Sequence, residues 1–134
     1  MSDPATHCIH AGPAGDQVGK AGTCGDACTS FCSLEIKICG SGDAPLTGIA
    51  NHEYQNMTDC MTKCAGFAKN PYVLNSAPPE PAAPSGDSLA CRLFHATNAA
   101  LYTKQGNLTL ANAHCGHTGE TQTPGLPCDG TPAP

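Results

Sequence analysis

At 134 residues the chain has room for one compact body, and ten cysteines, no tryptophan and only three Phe and three Tyr leave little bulk for an apolar core. A formal net charge of −5 with 13% charged residues offers no basic footprint to nucleic acid or to an anionic membrane surface. No apolar run approaches the ~20 residues a bilayer-spanning helix needs, and an even, high cysteine count points to cystines made in an oxidising compartment: secreted, periplasmic or cell-surface.

The opening Met1-Ser2-Asp3-Pro4 has neither a basic n-region nor an apolar h-region, so the expectation is that a leader has been removed and Met1 added for expression. Residues 1–25 are rich in Gly and Pro and are expected to be irregular, ordered around Cys8 and Cys24. From Asp26 to Cys39 the pattern predicts a helix, capped by Gly25 or Asp26 and ended by Gly40. Cys24, Cys28, Cys32 and Cys39 fall within an arc of about 80° at the helical period, flanked by Phe31, Leu34 and Ile38. Glu35 lies inside that stripe and is expected at a partly wet edge.

A Gly- and Pro-containing connection over 40–55 leads to a second helix from Asn56, where Asn56 and Asp59 resemble a capping box. Its apolar face is Met57, Cys60, Met61, Cys64 and Phe67 or Ala68, with the two methionines read as core, and Lys69-Asn70-Pro71 supplies a stop. Two helices with cysteines on their apolar stripes predict an antiparallel hairpin, most naturally bridged Cys39 to Cys60 and Cys32 to Cys64. The unequal spacing within those pairs leaves a mismatch of about 4.5 Å along the helices, to be absorbed by a crossing angle or a different partner. Ten cysteines allow many hundreds of pairings, and spacing alone does not select one.

Residues 75–86 form a proline-rich connector that prefers extended geometry, read as an exposed spacer before a docking strip. A third helix is predicted over about Ser88 to Lys104, with Asp87 as its cap, Gly106 beyond its end, and Cys91, Phe94, His95, Asn98 and Leu101 or Tyr102 on one face. From Asn107 onward, with Cys115 and Cys128 among Gly, Pro and Thr, a loop is expected. The fold class is therefore all-α, small and disulfide-rich: a cystine-stapled antiparallel helical hairpin plus a third helix, with long irregular Gly/Pro-rich termini. The organisation reads as 1–74, 75–86 and 87–134, the last packed on the first.

His7-Cys8-Ile9-His10-Ala11-Gly12 matches His114-Cys115-Gly116-His117-Thr118-Gly119, and each copy leads to a further cysteine, Cys24 or Cys128. Two arrangements follow: the motifs pair within one molecule, bridging Cys8 to Cys115, or the end of one subunit completes the start of the next. If the copies adjoin, His7, His10, His114 and His117 converge, with His95 able to join them. Imidazole ligates Zn, Cu, Ni and haem iron, although a histidine beside a structural cysteine more often bonds a loop carbonyl. No Cys-x-x-Cys occurs, which removes covalent haem attachment, thioredoxin-like dithiols and most zinc knuckles.

Cys91 with His95 has the spacing of a thiol and its base, but a bridged sulfur cannot attack. His52-Glu53 lacks a metalloprotease's second histidine. Asn56-Met57-Thr58 and Asn107-Leu108-Thr109 are formal glycosylation acceptors. The leading expectation is a non-enzymatic secreted or surface-displayed module with a structural or interaction role, without cofactor, engaging a protein partner or copies of itself. The alternative is a small metal or haem protein, in storage or electron transfer, using the His-Cys-x-His pairs. All ten cysteines are expected in disulfides.

Overall fold

A computed structural model describes residues 26–67, 87–120 and 127–128. Among these residues there are four helices and no strands: α1 (Ala27–Cys39), α2 (Met57–Cys64), α3 (Leu89–Lys104) and α4 (Leu108–Gly116). Helix α1 packs against each of the other three, and α3 packs most extensively on α4. The chain is all-α and disulfide-rich, with four cystines holding its elements together.

Every helix starts on a side-chain cap that satisfies one of the first turn's orphan N–H groups. Asp26 accepts from the Thr29 amide at 2.9 Å and opens α1. At the other end Gly40 turns the chain away at φ +79°, where an added Cβ would stand 2.9 Å from the Leu46 nitrogen. Asn56 accepts from the Asp59 amide while the Asp59 carboxylate accepts from the Gln55 amide at 2.8 Å, a capping box shifted one residue upstream. Ser88, rather than the expected Asp87, caps α3 by accepting from the Cys91 amide, and Asp87 is drawn instead to Arg92.

Helix α2 stops at Cys64, short of the expected Phe67 or Ala68, in a tight turn closed by Gly66 N–H to Lys63 O and Phe67 N–H to Cys64 O. Phe67 is still buried, but Met57 is not core: it is 41% exposed, and only Met61 of the pair packs on the interior. The stretch after Asn107 is helical where a loop was expected. Asn107 caps it through the Leu110 amide, and its inward face is small, made of Ala111 and Cys115, while Leu108 and Leu110 face outward. Apolar residues on the wet side erase the amphipathic signal.

The cystines correct the expected register. Cys28 bonds Cys64 and Cys32 bonds Cys60, with Cα–Cα distances of 5.7 and 5.8 Å. Each pair of cysteines is one turn apart on its own helix, so the antiparallel ladder closes without the offset that Cys39–Cys60 and Cys32–Cys64 would have carried. Cys39, lying beyond the ladder, bonds Cys115 on α4, which also overturns a Cys8–Cys115 bridge. Cys91 bonds Cys128, and Cys8 and Cys24 lie outside the described residues.

The few aromatic rings are concentrated beside the ladder. Phe31 meets Tyr54 and Phe67 edge-on at 5.9 and 6.3 Å, and Leu89, Leu93 and Ala96 of α3 close over them. A second cluster joins Ile49, Ala99 and Ala111 around Cys39–Cys115. Because α3 is flanked by α1 on one side and α4 on the other, its buried surface is wider than the single stripe expected. It takes in Ala90, Arg92 and Leu93, and leaves Leu101 47% exposed. Glu35, expected at a wet edge, is fully buried.

Candidate metal centre

His95 lies in the middle of α3, His114 in the last turn of α4, and His117 at that helix's C-cap. A short turn at Gly106 folds α4 back along α3, which brings the end of α4 beside the centre of α3. The Cys39–Cys115 bond then fixes the final turn of α4 to the end of α1. Gly116 is part of this fit: the Asn51 side chain lies where its Cβ would stand, 2.7 Å away, and donates to the Asn112 carbonyl at 2.8 Å.

The three imidazoles meet through one atom type. His95 Nδ1 is 2.8 Å from His114 Nδ1 and 3.3 Å from His117 Nδ1, and the ligating atoms of all three rings lie within 4.8 Å of one another. An imidazole Nδ1 carries either one proton or one lone pair in the ring plane, so His95 offers a single orbital to two neighbours. A cation at the focus would instead engage one lone pair from each ring. Zinc holds imidazole nitrogen at about 2.0–2.1 Å, which in a tetrahedron sets nitrogens about 3.3 Å apart, so the His95–His117 separation already matches and His95–His114 needs a small opening.

Burial prepares the rings as ligands. Desolvation lowers the pKa of His114, and desolvation followed by the proximity of His114 lowers that of His117, favouring the neutral form that binds metal. His95 is almost wholly buried, whereas His114 and His117 are half-buried. Tyr102 stacks on His114 with the ring planes 14° apart, and Phe94 meets His95 edge-on.

A second group, Cys91, His95 and Cys128, has ligand atoms equally close together, but both sulfurs are joined in a disulfide and supply no thiolate. Of the histidines anticipated as ligands, His95, His114 and His117 come together, and His7 and His10 lie outside the described residues. His52 donates from Nδ1 to the Cys39 carbonyl at 2.8 Å, a loop-pinning role.

Behind the histidines lies a buried polar layer that the sequence did not mark as part of a site. Tyr54 O–H donates to the Thr118 carbonyl at 2.6 Å. Arg92, also fully buried, donates from Nε to the Gly119 carbonyl at 3.0 Å and from Nη2 to the Glu120 carbonyl at 3.1 Å, and it pairs with Asp87 at 2.8 Å. Its guanidinium rests on the Phe67 ring, 3.9 Å from the centroid. The Thr118 hydroxyl is 2.8 Å from Glu35 Oε1 and 2.7 Å from the Cys115 carbonyl.

The surroundings of Glu35 favour its neutral form. Burial pushes its pKa up to about 8, against the opposing Thr118 hydrogen bond and with added repulsion from Glu53. The Thr118 hydroxyl is the donor here, directed at Glu35 Oε1 and at the Cys115 carbonyl, while burial favours the neutral form of Glu35. Burial likewise raises the pKa of the Tyr54 phenol, which stays a donor. The one sequence signal for this layer was Glu35 itself, an acid misplaced in an apolar stripe.

No protein-family model, no curated protein and no solved structure matches the chain. Functional inference therefore rests on its own residues. Four internal disulfides fit an oxidising compartment, and among the described residues no helix is long and apolar enough to cross a membrane.

Proposed function

We propose that the protein is an exported, cystine-built helical module that binds a divalent transition-metal ion through His95, His114 and His117. The supporting observation is the convergence of three Nδ1 atoms, two of them 2.8 and 3.3 Å from the third. Imidazole sites suit zinc, copper and nickel, and copper(II) binds most tightly of these at a given nitrogen site. A bare ion fits this reading better than haem. Three imidazoles gathered on one point suit a single ion, which can take a nitrogen from each of them.

Binding, rather than catalysis, is the role proposed. Cys91 is joined to Cys128, so the Cys91–His95 pair has no thiol nucleophile. The notion of a structural module and that of a metal protein then merge, the cystine scaffold being what holds the three rings together.

Titration of the oxidised protein with copper(II), followed by electron paramagnetic resonance, tests this. One equivalent bound with nitrogen hyperfine coupling, and lost in His114→Ala/His117→Ala, is expected. If wild type takes up no ion, or if that variant binds as tightly as wild type, the reading is wrong. Binding that disappears only in His7→Ala/His10→Ala would move the site to the N-terminal motif.

A further inference from the structure

Three of the largest fully buried side chains of the described protein are Arg92, Tyr54 and Glu35, and each comes from a different element: α3, the loop before α2, and α1. A buried polar group is costly unless it is bonded, so three that converge on one place call for an explanation. All three reach the same short stretch of chain, residues 118–120, which follows His117 directly. Tyr54 holds the carbonyl of 118, Arg92 those of 119 and 120, and Glu35 the hydroxyl of Thr118.

The three histidines are unequally supported. His95 and His114 sit inside helices, and the turn of His114 is further tied by the Cys115–Cys39 bond. His117 is a cap residue, and its N–H bonds only back to the last turn, at 3.1 Å to the His114 carbonyl. Helix termini fray, so the direction of the His117 ring depends on what holds the chain beyond it.

We infer that Tyr54, Arg92 and Glu35 are positioning residues for the metal site, gripping residues 118–120 so that His117 is held in its ligating place before the ion arrives. This rests on the metal-binding reading of His95, His114 and His117. A ligand ordered in advance adds no ordering cost at the moment of binding, and partners outside the ligand shell typically change metal affinity by about 10–100-fold. The aromatic bed under the grip joins it to the cystine ladder: Phe67 lies against Arg92, and Phe31 against both Phe67 and Tyr54.

The test is Tyr54→Phe in the full-length oxidised chain, in the wild-type and His117→Ala backgrounds, with copper(II) affinity measured by chelator competition. Tyr54→Phe removes one hydroxyl and keeps the ring. Copper affinity is expected to fall by about tenfold in wild type, with altered hyperfine coupling, and to change little once His117 is absent. An unchanged affinity, or a loss of equal size in both backgrounds, would overturn the positioning role. A wild-type protein that binds no copper, or one indifferent to His117→Ala, would instead sink the metal reading itself. Should Tyr54→Phe fail to fold, Thr118→Val, which deletes only the hydroxyl between Glu35 and the Cys115 carbonyl, is put through the same two-background comparison with the same criteria.

Discussion

The α1–α2 hairpin and the α3–α4 hairpin are built on opposite principles. The first is welded by two cystines one turn apart, lined with three rings, and carries none of the three clustered histidines. The second has no cystine between its own helices. It packs through small residues such as Ala99 and Ala111, and it holds all three histidines. Covalent rigidity sits in the hairpin without the clustered histidines, and the second hairpin borrows it through Cys39–Cys115 and the polar grip on residues 118–120.

The largest effect that would break this comparison comes from removing the long-range bond. Cys39→Ala/Cys115→Ala opens a loop with a sequence separation of 76. By chain entropy it is expected to cost about 4–5 kcal/mol and to weaken copper binding with it. Cys28→Ala/Cys64→Ala, a separation of 36 inside the first hairpin, should lower stability by about 3–4 kcal/mol and leave copper affinity nearly unchanged. Denaturant melts beside metal titrations read both quantities, and a copper site equally damaged by both variants would erase the division of labour.

The next effect concerns Glu35, buried where the two hairpins meet. Its folded pKa of about 8 lies above the ordinary carboxylate value of 4.5, so the folded state favours the proton. Stability from this group is fully present below pH 4.5. It declines as pH rises toward 8, when the unfolded chain ionises first, and is flat beyond. Glu53, Tyr54 and the Thr118 hydroxyl face the same carboxyl. At 1.36 kcal/mol per pKa unit the swing is on the order of 5 kcal/mol. Glu35→Gln keeps an acceptor oxygen for the Thr118 hydroxyl and removes the ionisation, so its melting temperature should vary much less between pH 5 and 8. A wild type that shows the same flat profile would mean that Glu35 is ionised in the fold.

The smallest effect separates the hairpins by their caps. Asn56→Ala and Asn107→Ala should each cost about 1 kcal/mol in denaturant melts, and only the second, which loosens the helix carrying His114, should also weaken copper binding.

The same contrast governs what could be read from sequence. Helices α1 and α2 were legible because their cysteines recur on one face and Asp26, Asn56 and Gly40 mark their ends, and α3 because Cys91, Phe94, His95 and Leu101 recur at the helical period. The cystine register was not, because Cys39 lies on the same stripe as Cys28 and Cys32, and only the position of α4 draws it away from the hairpin. Helix α4 was missed because outward leucines mask its small inner face. The His-Cys-x-His motif and His95 singled out residues that do cluster. Arg92 and Tyr54 gave no sign, since a lone arginine on a helix reads as solvated until carbonyls from a remote turn appear around it.

The span of the Cys39–Cys115 link also bears on how readily each cystine closes. Ring closure is entropically harder for the longer loop, so the two rungs of the ladder are favoured to oxidise ahead of it. That long-range bond ties the last turn of α4, with His114 in it and His117 at its cap, to the end of α1. A chain in which Cys39 or Cys115 pairs with another cysteine lacks that tie, and on the metal-binding proposal copper uptake would report on correct cystine pairing.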